Sequence, residues 1–307
     1  MEVVERAVMF DCRGESLIGI VSTNDKPAST GVLVIVGGPQ YRVGSHRQFV
    51  RLARHLAREG VPCMRFDYRG MGDASGEQRS FATVNDDVCV AVDAFFNTVP
   101  ALERVVLWGL CDGASAACMA LSANAKVAGA VLLNPWVRTG ASSAGVVLKH
   151  YYLRRFLDGR FWRKLLRGEV RVLRSVTSLV ATVLGRARNE GASGAPGVSA
   201  RAVSVQSKPA HLADVPRLPQ RMLAGLIQSS VPVAVALSGR DLVAREFEEL
   251  VRTDVAWRAL LGATQVSLKH FEGADHTFSR AADAEAVERF TVEWLRDRGL
   301  LTEVDAA

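Results

Sequence analysis

The 307-residue chain contains few features that would mark a secreted or metal-dependent protein. Its five cysteines (Cys12, Cys63, Cys89, Cys111 and Cys118) follow no C-x-x-C spacing. An odd, unpaired set of cysteines is typical of a reducing compartment, so we expect no disulfide framework and a cytoplasmic protein. The six histidines are scattered and form no metal-ligand motif, so we expect neither a metal nor a cofactor.

Long hydrophobic runs are also missing. No stretch of about 18 uncharged apolar residues occurs, which argues against a membrane-spanning helix. Charged residues interrupt the first thirteen positions, so we expect no signal peptide. The net charge of +6 is modest for this length, and 49% hydrophobic residues are ordinary for a globular chain. The length suits one large α/β domain with an insertion, or two small domains.

The chain alternates short β-branched runs with helical patterns. The predicted strands span residues 3–10, 16–22, 31–36, 63–66, 104–108, 127–133, 231–237 and 265–271. The predicted helices span residues 45–59, 81–98, 114–125, 244–261 and 282–298. Repeated strand–helix–strand units predict an α/β fold, with a mostly parallel eight-stranded sheet covered by helices on both faces.

The alternation is interrupted between the sixth and seventh predicted strands. The simplest interpretation is one α/β core, residues 1–136 and 230–307, with a helical lid inserted at 137–229. Within that insertion, residues 189–209 are rich in Gly, Ser, Ala and Pro and are predicted to form a flexible loop.

The most informative segment follows the fifth predicted strand, where G-x-C-x-G occupies residues 109–113. This is the spacing of a nucleophile elbow, G-x-S-x-G, with sulfur in place of oxygen. Cys111 would lie at a helix N-terminus, where the helix dipole favours a thiolate. The spacing can also arise by chance, and Asp112 is an alternative nucleophile. The glycine frame favours Cys111, with Asp112 at the helix start and the other four cysteines as buried apolar residues.

A catalytic acid and a histidine follow the nucleophile in the chain order expected of such a site. Asp241 comes directly after the seventh predicted strand, and His276 lies in the loop after the eighth. His276 would deprotonate Cys111, while Asp241 would hold the imidazole and stabilise its cation. The alternatives are a turn aspartate and a histidine that caps the last helix, but three candidates in the required order favour a Cys–Asp–His triad.

Two glycine-containing loops accompany these residues. Residues 36–40 read V-G-G-P-Q and resemble an H-G-G-P oxyanion loop with valine replacing histidine. Main-chain N–H groups of Asp112 and of either Gly38 or Gln40 would then bind the oxyanion, because Pro39 has no N–H. For the second loop, D-x-R-G-x-G at residues 67–72, we favour a structural interpretation, in which a glycine-rich turn shapes the pocket.

These motifs together resemble the α/β-hydrolase superfamily, and the cysteine resembles that of its dienelactone-hydrolase type and of several thioester-handling members. Three stretches are similar to the exosortase A system-associated hydrolase 1 group: VGGPQYRVGSHRQF (36–49), FDYRGMGD (66–73) and GLCDGASAA (109–117). The resemblance covers about 1–136 and 230–300. It implies a cytoplasmic hydrolase or acyltransferase of unassigned substrate, encoded with exopolysaccharide systems.

The insertion carries a concentration of positive charge. Residues 138–188 contain twelve Arg or Lys against two acids, interleaved with aromatic residues. One interpretation is a solvated lid with an apolar underside. Others are docking of an anionic acyl carrier protein or coenzyme A thioester, or contact with an acidic membrane surface. No recognition motif accompanies the charge, so we expect no nucleic-acid partner.

The leading functional hypothesis is hydrolysis of an ester or thioester through an acyl-Cys111 intermediate. An acyltransferase that passes the acyl group to a hydroxyl or amine acceptor requires the same triad and stays open. A non-catalytic scaffold that binds through the basic lid is the alternative from another class, and the intact triad argues against it.

Overall fold

The computed structural model describes residues 2–37, 40–137 and 217–301, and within these residues eight strands form one sheet in the order β1-β2-β4-β3-β5-β6-β7-β8. The strands are β1 (Val4–Cys12), β2 (Glu15–Thr23), β3 (Thr30–Ile35), β4 (Cys63–Asp67), β5 (Arg104–Leu110), β6 (Val127–Leu133), β7 (Val233–Ser238) and β8 (Val266–Phe271). β2 runs antiparallel to β1 and β4, and every other neighbouring pair is parallel. The predicted mostly parallel eight-stranded sheet is confirmed.

Parallel pairing has a direct consequence for the site. β3 to β8 all point the same way, so the loops that follow them meet at one edge of the sheet. Cys111, Asp241 and His276 follow β5, β7 and β8 respectively, and this topology brings them to that common edge.

Helices cover both faces of the sheet. They are α1 (Gln48–Arg58), α2 (Asn85–Thr98), α3 (Asp112–Ala120), α4 (Leu218–Ser229), α5 (Leu242–Thr253), α6 (Val255–Leu261) and α7 (Ala281–Asp297). β3 shows how the sheet divides the core, because its residues alternate between two apolar clusters. Leu33 and Ile35 pack on the side of α2 and α3, whereas Val32 and Val34 pack on the side of α1 and α7.

Several helix boundaries differ from the prediction. The helix predicted at 244–261 is two helices, because the Asp254 side chain accepts the N–H groups of Ala256 and Trp257 and starts α6 there. The helix predicted at 114–125 begins two residues earlier, immediately after Cys111, and ends at Ala120. The predicted helix at 45–59 starts with a 3₁₀ turn, Ser45–Arg47, before α1.

The end of the predicted insertion also forms regular structure. α4, which the predicted division assigns to the lid, packs against α3, and Met222 and Leu226 belong to the core cluster. A Cβ at Gly225 would lie 2.1 Å from the carbonyl oxygen of Cys118, so the two helices approach closely. Residues 138–216 of the predicted lid, including the flexible loop and the basic residues 138–188, lie outside the described residues. Among the helices that are described, none combines the length and apolar character needed to cross a membrane.

Candidate active site

Cys111 occupies a strained turn between β5 and α3. Its backbone angles, φ 60° and ψ −123°, lie outside the common regions for an L-residue, as expected at a nucleophile elbow. A Cβ at Gly109 would lie 2.4 Å from the main chain of Gly113, and a Cβ at Gly113 would lie 2.4 Å from the carbonyl oxygen of Ile35. The glycines two residues either side of Cys111 are therefore required for the chain to fold back on itself.

The structure brings the three predicted triad residues together. His276 Nδ1 lies 2.7 Å from Asp241 Oδ2, and the Asp241 side chain is almost fully buried. The hydrogen bond with Asp241 and, second, the hydrogen bond with Cys111 raise the pKa of His276 to about 10, although its burial acts in the opposite direction. The imidazole therefore hydrogen-bonds both the Asp241 carboxylate and the Cys111 thiol, and it holds a proton readily at neutral pH.

Asp241 has a second role in the same position. As the N-cap of α5 it accepts the main-chain N–H groups of Val243, at 3.2 Å, and Ala244, at 3.3 Å. These two bonds hold the carboxylate independently of its contact with His276, so its orientation does not depend on the histidine.

Asn134, which was not predicted from the sequence, joins the loops that carry Asp241 and His276. It follows β6 with a left-handed φ of 45° and is fully buried. Asn134 Oδ1 accepts the Ser238 N–H at 2.8 Å, and Asn134 Nδ2 donates to Ser238 Oγ at 2.9 Å and to the main-chain oxygen of His276 at 3.1 Å. One side chain thus holds the end of β7 and the backbone of His276.

The same segment holds the backbone of Cys111, the predicted nucleophile. The Cys111 N–H donates to the Leu133 carbonyl at 2.8 Å, and the Trp136 N–H donates to the Cys111 carbonyl at 3.2 Å. Ser115 Oγ donates to the Trp136 carbonyl at 2.6 Å. Residues 133–136 therefore contact both the elbow and, through Asn134, the histidine loop. A polar residue directly after a buried strand at the functional edge was the available sequence signal.

The predicted oxyanion residues are described in part. Asp112 is the first residue of α3, so its N–H belongs to the first turn of that helix. Gln40 follows β3, and its side-chain Oε1 is buried without a hydrogen-bond partner. Gly38 lies outside the described residues.

The D-x-R-G-x-G loop after β4 is held by a buried ion pair. Asp87 accepts the main-chain N–H of Arg69 at 3.0 Å and its guanidinium at 2.9 and 2.7 Å, and both side chains are almost fully buried. These contacts support the structural role predicted for this loop.

The other four cysteines differ from Cys111 in their surroundings. All are free thiols. Burial raises the pKa of Cys63 to about 12 and also raises the pKa values of Cys12, Cys89 and Cys118. These four thiols are therefore expected to react slowly as nucleophiles at neutral pH.

The family follows from comparison with known proteins. The model of the alpha/beta hydrolase family matches residues 32–290, most of the chain. The chain therefore belongs to this family, and it is an enzyme of the α/β-hydrolase class.

Similar structures and sequences agree with this fold. The esterase Pf2001 of Pyrococcus furiosus superposes with a TM-score of 0.61 at 16% identity, covering 96% of this chain and 93% of that one. A dienelactone hydrolase from Anabaena variabilis superposes with a TM-score of 0.59 at 14% identity, covering 97% and 99%.

A third relative appears in both sequence and structure. The polyketide transferase GrgF from Penicillium sp. is 25% identical over 115 residues, which are 36% of this chain and 39% of that protein. The chain thus matches about two fifths of this relative's length in sequence. The GrgF structure superposes with a TM-score of 0.59 at 17% identity, covering 97% and 100%.

Proposed function

We propose that the chain hydrolyses an ester or thioester through a covalent acyl-Cys111 intermediate. The observation that carries this proposal is the 2.7 Å contact between Asp241 and His276, with His276 hydrogen-bonded to a cysteine on a strained elbow. That cysteine-nucleophile arrangement makes a thioesterase-like or esterase-like reaction the best-supported chemistry.

Acylation begins from a thiolate–imidazolium pair in this proposal. Because the bond with Asp241 favours protonated His276, the proton rests on the imidazole and Cys111 Sγ is free to attack the carbonyl carbon. The new C–S bond pushes the carbonyl electrons onto oxygen, where main-chain N–H groups of Asp112 and Gly38 or Gln40 would bind the oxyanion. Collapse re-forms the carbonyl and expels the alcohol or thiol, which takes its proton from His276.

In deacylation the proton moves in the opposite direction, onto His276. Neutral His276 takes a proton from water as the water oxygen attacks the thioester carbon, and the C–S bond breaks. The acid product leaves, and the thiolate and imidazolium are restored.

Transfer to another acceptor is the second candidate. The similarity to GrgF, a polyketide transferase with the same fold, favours this candidate. A hydroxyl or amine acceptor would replace water in the second step, and the triad residues would keep their roles.

Intact-protein mass spectrometry after incubation with acyl p-nitrophenyl esters and acyl thioesters tests the proposal. The wild type should gain the mass of the acyl group, and Cys111→Ala should not. Cys89→Ala is the matched control, because Cys89 is the other partly exposed cysteine among the described residues, and its adduct should match that of the wild type.

Turnover separates the alternatives. Release of free acid identifies a hydrolase, whereas suppression of free acid by added alcohols or amines, with formation of acylated acceptor, identifies a transferase. If rapid quenching finds no adduct and no donor is turned over, the scaffold hypothesis replaces both.

Three finer assignments belong to the same proposal. The three stretches that resemble the exosortase-associated group suggest a place beside exopolysaccharide synthesis. The free cysteines support a cytoplasmic enzyme. Docking of an anionic carrier or an acidic membrane surface on the basic residues 138–188 stays a prediction from the sequence, as does the lid boundary at 137–229.

A further inference from the structure

We propose that Asp67 is a positioning residue that aligns the Gln40 main chain for oxyanion binding, an inference that rests on the proposed acyl-transfer function. Asp67 is the last residue of β4, and it has no assigned role in the triad or the oxyanion site. Its carboxylate joins the loop after β3 to the loop after β4.

The contacts of Asp67 are with main chain as well as with side chain. Its Oδ1 accepts the main-chain N–H of Arg42 at 2.8 Å, and its Oδ2 accepts the Arg42 guanidinium. The same Oδ2 accepts the main-chain N–H of Asp73 at 3.1 Å. The backbone is therefore anchored two residues after Gln40, and the neighbouring loop is anchored by the same carboxylate.

The other end of this segment is fixed against the elbow. A Cβ at Gly37 would lie 2.2 Å from Asp112 Oδ1 and 2.6 Å from the main-chain nitrogen of Gly113. Gly37 thus packs directly on the start of α3, and Arg42 is held by Asp67. Gln40 therefore lies between two held residues, Gly37 and Arg42, that are only five positions apart. Loss of the contacts at either residue should move the Gln40 N–H.

Burial makes this anchor costly to disturb. The Asp67 side chain is completely buried and the Arg42 side chain is nearly so. Removing either charge would therefore leave the other buried without this partner. On the solvent side, exposed Asp73 accepts from Arg42 at 2.9 Å and from Tyr41 Oη at 2.6 Å. The cluster of Tyr41, Arg42, Asp67 and Asp73 therefore encloses the backbone that follows Gln40.

Asp87 provides a matched comparison within the same protein. Like Asp67, it is a buried aspartate that accepts both the main-chain N–H and the guanidinium of one arginine, Arg69. Asp87 also holds the loop after β4, but its hydrogen bonds among the described residues go to Arg69 and do not reach the segment that contains Gln40. Asp87→Asn should therefore reproduce the loss of a buried ion pair without displacing an oxyanion donor.

Two reactions of Cys111 distinguish positioning of the oxyanion site from general damage. Acylation by an ester passes through an oxyanion that needs correctly placed N–H donors. Alkylation by iodoacetamide displaces iodide at a saturated carbon and forms no oxyanion. A displaced donor should slow the first reaction and spare the second, whereas unfolding or a disturbed His276 should change both.

The experiment measures both second-order rates, by intact mass, in wild type, Asp67→Asn and Asp87→Asn. In Asp67→Asn the amide NH₂ opposes a donor in either orientation: the Arg42 main-chain N–H in one, and the Arg42 guanidinium and Asp73 N–H in the other. Complete loss of one oxyanion donor costs about 10²–10³, and a donor that is displaced but not removed should cost less, so we expect acylation to fall about 10- to 100-fold. Alkylation should stay within about threefold of wild type, and Asp87→Asn should keep both rates within about threefold.

Asp67→Glu keeps the test decisive if Asp67→Asn fails to fold. It retains the charge that pairs with Arg42 but moves the carboxylate by one methylene, so acylation should again fall while alkylation persists. Equal acylation in wild type and both folded Asp67 variants overturns the inference and leaves the proposed function intact. Equal loss of both reactions also overturns it. A wild type that is alkylated at Cys111 but never acylated overturns the proposed function and this inference together.

Discussion

Two aspartates at helix starts, Asp241 and Asp254, have the same local structure and different surroundings. Each is an N-cap whose carboxylate accepts two main-chain N–H groups of the following turn. Asp241 Oδ2 also contacts His276 Nδ1 at 2.7 Å, whereas Asp254 joins α5 to α6 and does not follow a strand. Local capping chemistry therefore does not identify the acid of the site.

The difference between them comes from topology. Asp241 follows β7 and so lies at the carboxyl edge of the parallel strands, where the loops after β5 and β8 also end. Asp254 follows a helix, and its side-chain hydrogen bonds among the described residues are to the first turn of α6. Substitutions at these two positions, and at residues that hold His276, can separate capping from proton transfer.

The largest effect is expected for Asp241→Asn. The amide oxygen can still accept the Val243 N–H, but the NH₂ group would replace the oxygen that accepts from Ala244. There it would donate to His276 Nδ1 and force the other ring nitrogen to carry the proton. That tautomer cannot accept a proton, so kcat/KM should fall about 10³–10⁴-fold. Steady-state hydrolysis of the best ester measures this, with Asp254→Asn as the matched control. A loss of less than tenfold would mean that Asp241 acts only as a cap.

The pH dependence of Cys111 alkylation tests the charge on His276. The pKa of His276 is raised to about 10, so the folded enzyme keeps the imidazolium below that pH and loses it as the pH rises through that value. A charged imidazolium beside the thiol favours its ionised form, so alkylation of wild type should rise less steeply between about pH 7 and 9 than alkylation of His276→Gln. In His276→Gln it should rise steeply across that range, as for an ordinary thiol that ionises near pH 8.5.

The outcome that contradicts this prediction is a wild-type profile as steep as that of His276→Gln. Iodoacetamide rates followed by peptide mapping give the comparison at Cys111 alone. The raised pKa values of the other four cysteines keep their background low.

Asn134→Asp should have an intermediate effect. The new carboxylate can still accept the Ser238 N–H, but it repels the main-chain oxygen of His276 instead of donating to it. We expect about a tenfold loss of kcat/KM, because the histidine backbone shifts while the triad stays present. Ser238→Ala is the control: it removes only the hydroxyl contact at 2.9 Å and should change kcat/KM less than threefold. Equal losses in the two variants would exclude a positioning role for Asn134.

The sequence was sufficient for the features that depend on local pattern. Apolar runs predicted all eight strands, and the chain order of Cys111, Asp241 and His276 placed each after its strand. The spacing of Gly109 and Gly113 was visible in the sequence, and the close approach of their main chains explains it. Each of these signals is a short run of residues or the order of such runs along the chain, so it can be recognised without knowledge of long-range contacts.

The sequence did not reveal contacts between residues that are distant along the chain. Asn134 holds His276 across 142 positions, and Asp67 holds Arg42 across 25. The break between α5 and α6 was also missed, because the helical pattern continues through Asp254 and only the direction of its side chain shows a new N-cap. Such features depend on how loops meet at the sheet edge.

The smallest effect is expected for Asp254→Ala. Loss of the cap leaves the N–H groups of Ala256 and Trp257 without their acceptor, so the free energy of unfolding should fall by about 1 kcal/mol. Urea denaturation measures this loss, and kcat/KM should stay within about twofold because α6 supplies no residue to the predicted triad. Asp241→Ala should lose a similar capping energy and nearly all activity. If Asp254→Ala also lost activity, capping at the α5–α6 junction would affect the site, and the contrast between the two aspartates would no longer isolate proton transfer.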